Sequence, residues 1–104
     1  MPKELTEAQL LLRTHLSELG YETEVEYQFH PDRRFRFDLA NVENRLGFEA
    51  CGGQWTGGHR HRAAITRDYE KLNLAQVHGW RCFYFTNEQI LKGEALEWLK
   101  EHLS

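Results

Sequence analysis

The sequence predicts one α/β domain, an α+β arrangement in which a mixed sheet carries helices on its faces. Three observations lead there. The chain of 104 residues is long enough for one modest core and too short for two, so residues 1–104 are expected to form a single domain. Three consecutive segments of its first half alternate apolar and polar residues with the period of a strand, and runs at helical spacing stand before and after them. A further apolar segment follows the middle helix, so the chain crosses over to reach it, which mixes parallel and antiparallel pairing in one sheet.

The order is helix, three-stranded meander, helix, strand, C-terminal helix. Thr6 with Gln9 has the form of a capping box, and Leu12, Leu16 and Leu19 continue at helical spacing until Gly20 stops the run. Glu7 falls in the first turn, where a carboxylate suits the helix dipole. Thr23 to His30 sets Val25, Tyr27 and Phe29 against Glu24, Glu26 and Gln28, a first strand ended by Pro31. Phe35 to Gln54 reads as a β-hairpin. Phe35, Phe37 and Leu39 make one apolar face with Leu46, Phe48 and Ala50, around a polar turn near Asn41 to Asn44.

CGGQWTGGHRHR then places four glycines within seven residues beside Trp55, His59, Arg60, His61 and Arg62, a loop able to approach a ligand closely. Arg62 to His78 is a second helix, with Ile65, Tyr69, Leu72 and Gln76 along its buried stripe and Gly79 at its stop. Trp80 to Phe85, WRCFYF, has too little polarity for an open edge and is expected at the centre of the sheet. Asn87 begins a short helical segment, and an amphipathic helix from Gly93 to Leu103 closes the order.

No apolar run approaches the roughly 20 residues of a membrane span. The polar start MPKELTEAQ lacks the apolar core of a signal peptide, so a cytoplasmic protein without a membrane partner is expected. Cys51 and Cys82 do not make a disulfide framework and are expected as free thiols. The net charge of −3 disfavours a nucleic-acid partner until it is divided along the chain. Residues 1–29 carry two basic and six acidic side chains, 30–67 seven and four, and 68–104 four and six. Positive charge therefore gathers around the hairpin and the glycine loop, together with His30, His59 and His61.

The polar face of the hairpin carries Asp38 and Glu49. A tight turn brings them to similar height on neighbouring strands, where two carboxylates repel and raise each other's pKa unless a cation sits between them. A hard divalent ion such as Mg²⁺ takes oxygen ligands, keeps several waters and can bind a phosphate oxygen as well. The plainer reading pairs the two acids with Arg36 and Arg45 across the ladder as ordinary surface charge.

The ordered set RRFRFDLANVENRLGFEACGGQWTGGHRHR, RDYEKLN and GWRCFYFT resembles small phage and prophage nucleases of the PD-(D/E)XK, restriction-endonuclease-like superfamily, some of them Holliday-junction-resolvase-like. By that resemblance Asp38 matches the motif aspartate and Glu49 the acidic residue of the next strand, holding Mg²⁺ or Mn²⁺ with help from Glu7. Lys71 matches the helical lysine of members whose strand lysine has been replaced, with Asp68, Tyr69 and Asn73 beside it in the motif. Cys51 departs from the pattern, standing where lysine or a second glutamate is usual. His59 and His61 straddle the position of the family's loop histidine.

The resemblance implies a metal-dependent DNA endonuclease hydrolysing phosphodiester bonds, with branched DNA one of its candidate substrates beside flaps, single strands and duplex ends. Lys71 would orient the attacking water or stabilise the transition state. Arg36, Arg60, Arg62 and the loop amides would neutralise phosphates, with His59 and His61 nearby. Trp55 has two readings, stacking on a base or sugar and plugging the glycine loop. DNA would be read by backbone and shape, and a homodimer using Trp98 or the C-terminal helix would address two strands. The alternatives are an inactive DNA-binding module of the same fold that lost its site at Cys51, and a phage-type modulator whose glycine loop contacts a host protein. A softer metal on Cys51 with His59 or His61 is a further variant.

Overall fold

The computed structural model describes residues 4–52 and 61–103, with side chains of the second helix described from residue 64 onward. The elements are α1 (Glu7–Glu18), β1 (Glu24–Gln28), β2 (Arg36–Asn41), β3 (Leu46–Cys51), α2 (His61–Val77), β4 (Arg81–Thr86), α3 (Asn87–Leu91) and α4 (Glu94–His102). β1, β2 and β3 form an antiparallel meander, and β4 joins β3 in parallel after the α2 crossover, giving the order β1-β2-β3-β4. β4 thus lies at an edge of the described sheet, not at its centre. Its apolar residues serve both faces instead: Phe83 and Phe85 turn towards the cluster under α1, α3 and α4, and Cys82 towards α2.

Two clusters hold the layers together. On one face Leu12 and Leu16 of α1, Ile90 of α3 and Leu99 of α4 cover Leu39, Leu46 and Phe48. On the other, Ala75 of α2 and Trp80 pack on Phe37 and Ala40. Each fully buried Leu or Phe contributes about 1.5–3 kcal/mol of apolar transfer. The Thr6 box is present, with the Gln9 amide donating to Thr6 Oγ1 at 3.1 Å and the Thr6 amide to Gln9 Oε1 at 2.9 Å. A second box, Thr86 with Gln89, starts α3 in the same way. The Asn41–Asn44 turn forms because buried Asn41 accepts from the Asn44 amide at 2.9 Å and donates to the Glu22 carbonyl at 2.7 Å.

Strict alternation fails in β1 and β2. Phe37 packs on the α2 side while Leu39, two residues on, packs on the α1 side; likewise Tyr27 and Val25 go to opposite clusters. The slip falls at Glu26 and Asp38, between the register pairs Val25–Leu39 and Tyr27–Phe37, and Glu26 has a left-handed φ of 54°. The single apolar face expected for Phe35, Phe37 and Leu39 is therefore split. Phe37 and Asp38 can then both serve the α2 face, which period-two reading forbids.

The stripe of α2 also differs from expectation. Tyr69 is 63% exposed and Gln76 is exposed, while buried Ala75 packs on the sheet and Lys71 reaches Glu49 of β3; Leu72 is half-buried. Apolar periodicity misplaces this helix because its sheet-facing side includes a lysine. Among the described residues no helix is long and apolar enough to cross a membrane.

Candidate active site

Asp38 and Glu49 sit where the β2–β3 ladder opens. Regular pairing runs from Asn41–Leu46 to Leu39–Phe48 and goes no further. Beyond it the Asp38 amide donates to Glu49 Oε2 at 3.0 Å, and the Ala50 amide donates to Asp38 Oδ2 at 2.9 Å. Two strand amides that would otherwise bond to carbonyls thus fix one oxygen of each carboxylate. Neither acid is held by Arg36 or Arg45; Arg45 donates to the His78 carbonyl at 2.7 Å. Surface pairing with those arginines is not what this face does.

Lys71 reaches Glu49 Oε2 from α2 at 2.9 Å, with both side chains largely buried. Its ammonium lies 5.6 Å from the centre of the Phe37 ring, so ring and carboxylate together orient it. Phe37 lies here because Gly47 has no side chain: a Cβ on Gly47 would meet three Phe37 ring atoms at 2.5 to 2.6 Å. Burial pushes the Glu49 carboxyl up to about 7; Lys71 opposes the rise and the Asp38 charge adds to it. Burial therefore outweighs the lysine in this setting, and the carboxyl stays raised.

The fold matches that of a homing endonuclease domain. The catalytic domain of homing endonuclease I-Bth0305I aligns with a TM-score of 0.63 at 15% identity, over 96% of this chain and 100% of that domain. With the four-stranded mixed sheet, this bears out the restriction-endonuclease-like architecture. No protein-family model matches the sequence, and no curated protein matches it significantly.

Tyr84 and Asp68 complete the surroundings. Parallel register sets Glu49 beside Tyr84 and Cys51 beside Thr86. Tyr84 is 38% exposed, and burial, then the Glu49 charge, raise its phenol, so the hydroxyl remains a hydrogen-bond donor. Aromatic neighbours in WRCFYF make Tyr84 read as core in the sequence; the alternation Cys82, Tyr84, Thr86 is the signal that sets it on the α2 face. Cys51 is pushed up to about 11 by burial first, then by Glu49, Asp38 and Asp68. It is a neutral thiol here, neither a cation nor a ready thiolate.

Of the other expected site residues, Arg36 is exposed at the start of β2. Glu7 is exposed in the first turn of α1, which packs on the opposite face from α2. Trp55, His59 and Arg60, and the side chains of His61 and Arg62, lie outside the described residues. Among the described residues no three His, Cys, Asp or Glu side chains converge as a metal cluster. Two carboxylates on adjacent strands, each with its second oxygen outside these hydrogen bonds, fit a hard cation that keeps most of its water.

Proposed function

We propose that this chain is a metal-dependent DNA endonuclease domain of the PD-(D/E)XK type, hydrolysing phosphodiester bonds in branched DNA. The observation that carries this reading is Asp38 and Glu49 fixed side by side at an opened ladder with Lys71 on Glu49. The shared fold with a homing endonuclease catalytic domain supports it.

Asp38 and Glu49 would hold Mg²⁺ or Mn²⁺ through the carboxylate oxygens left outside their hydrogen bonds to the strand amides. A divalent ion bound there supplies Lewis-acid polarisation of a phosphate oxygen and a more acidic water. Lys71 orients the attacking water and offsets charge developing on the phosphate. Glu49, poised near neutrality, accepts hydrogen bonds from the Asp38 amide and Lys71 and so sets where that lysine points. Arg36, Arg60 and Arg62 neutralise phosphates of the bound DNA, His59 and His61 belong to the same binding set, and Trp55 stacks on a base or sugar.

The test incubates the protein with four-way junctions, flaps and linear duplex in Mg²⁺ or Mn²⁺, beside Asp38→Ala and Glu49→Ala. Cleavage by the wild type and by neither variant upholds the reading. Binding without cleavage in either metal selects the inactive module, which the neutral thiol of Cys51 at the usual lysine position favours.

A further inference from the structure

We propose that Arg33 and Arg67 form a second phosphate-binding position, which holds the DNA backbone next to the phosphate addressed by Asp38, Glu49 and Lys71; it rests on the nuclease reading above. The Phe29 ring stacks on Phe35 at 6.4 Å and 11° and on Phe37 at 4.7 Å and 24°, so the three rings form one ladder. The Arg33 guanidinium lies 4.5 Å from the centre of the Phe35 ring and that of Arg67 5.0 Å from it, while Lys71 lies over Phe37. Three cations are thereby held along one aromatic support. Arg67 precedes Lys71 by one helical turn, about 6 Å along the axis, a step comparable to that between neighbouring phosphates on one strand.

Charge balance points the same way. Arg33 is paired with Glu70 at 2.9 Å, but Arg67 has no ion-pair partner among the described residues. Two guanidiniums on one ring, one of them paired with a carboxylate, leave an excess positive charge that repels itself until an anion arrives. A guanidinium fork matches a phosphate bidentately, and the ring beneath fixes its plane before binding. Phe35 is 4% exposed, so this support is part of the fold and not a loose side chain. Glu70 is the exchangeable partner: a phosphate can take its place on Arg33 because that pair is open to solvent.

The experiment measures binding of a fluorescent junction and a fluorescent duplex in Ca²⁺, across a series of salt concentrations, for wild type, Arg67→Gln, Arg67→Lys and Phe35→Leu. Arg67→Gln is expected to weaken binding about tenfold and to lower the log–log salt slope by about 0.9. Arg67→Lys keeps the slope and recovers only part of the affinity. Phe35→Leu weakens binding with the slope retained. In Mg²⁺ the loss in Arg67→Gln falls on KM more than on kcat. An unchanged slope and affinity in Arg67→Gln, with a wild type that binds and cleaves, overturns this position alone. A wild type that binds no DNA overturns the nuclease reading and this position with it.

Discussion

The Asp38 amide donates to the Glu49 carboxylate at 3.0 Å, while Asp38 Oδ2 accepts from the amide that follows Glu49 at 2.9 Å. The two acids therefore stitch the end of the sheet as well as forming the candidate site, and the two roles separate by substitution. Asp38→Asn keeps an acceptor for the Ala50 amide and should stay within about 1 kcal/mol of wild type, yet lose at least about 100-fold in cleavage rate. Asp38→Ala leaves that amide unpaired and should cost about 1–3 kcal/mol besides. Urea melts beside a cleavage assay check both; equal stability of the two variants would mean the bond holds nothing.

Glu49 makes stability depend on pH, and with it the proposed metal binding. Its carboxyl is raised from the ordinary 4.5 to about 7, so between those values the native state holds a proton that the unfolded chain has lost. Native stability from this group is then present at low pH and lost as pH rises through that window, about 3 kcal/mol by pH 8. Glu49→Gln should remove this falling limb, seen as a flatter Tm against pH. Mg²⁺ binding at pH 6 should release up to about one proton from wild type and almost none from Glu49→Gln. Calorimetry in buffers of different ionisation enthalpy reads that release directly.

Lys71 and Cys51 carry opposite expectations. Lys71→Met removes the cation that touches Glu49 and should lower the cleavage rate about 100-fold while raising the Glu49 carboxyl further. Cys51→Ala should cleave within about threefold of wild type, because a thiol pushed up to about 11 carries no charge to lose. The same protonation should make Cys51 slow to alkylate at pH 8. A Cys51→Ala variant that dies while Lys71→Met survives would place the positive charge somewhere other than α2.

What the sequence made legible was whatever follows from local rules. The Thr6 cap, the Asn41 turn and the strand carrying Leu46 and Phe48 all stand as their spacing predicts. Asp38, Glu49 and Lys71 were visible as a motif, although their meeting across β2, β3 and α2 was not visible in any one segment. Misreadings came where two elements share a task. The slip at Glu26 and Asp38 needs both strands at once, so alternation within β2 alone assigns Phe37 to the wrong face. Apolar spacing in α2 points to Tyr69 as core, whereas the sheet-facing side of the helix accommodates Lys71 and leaves Tyr69 exposed. Tyr84 was hidden by aromatic neighbours that serve the other face.

Gly47 gives the sharpest test of how the site is supported. A methyl there would come within 2.5 to 2.6 Å of three atoms of Phe37, a ring with no exposure that is stacked on Phe29 at 4.7 Å and against Trp80 at 5.2 Å. The ring cannot retreat without disturbing both neighbours, so Gly47→Ala should cost about 1–3 kcal/mol, a fall of roughly 4–8 °C in Tm for each kcal/mol in a domain of this size. Because the same ring lies under Lys71, cleavage below the melting range should fall as well. Phe37→Leu alone should also destabilise, by removing buried ring atoms. Together the two changes should cost less than their sum, since the smaller side chain makes room for the methyl. Additive losses in that double-mutant cycle would show that contact between Gly47 and Phe37 is not what forbids a side chain at this position.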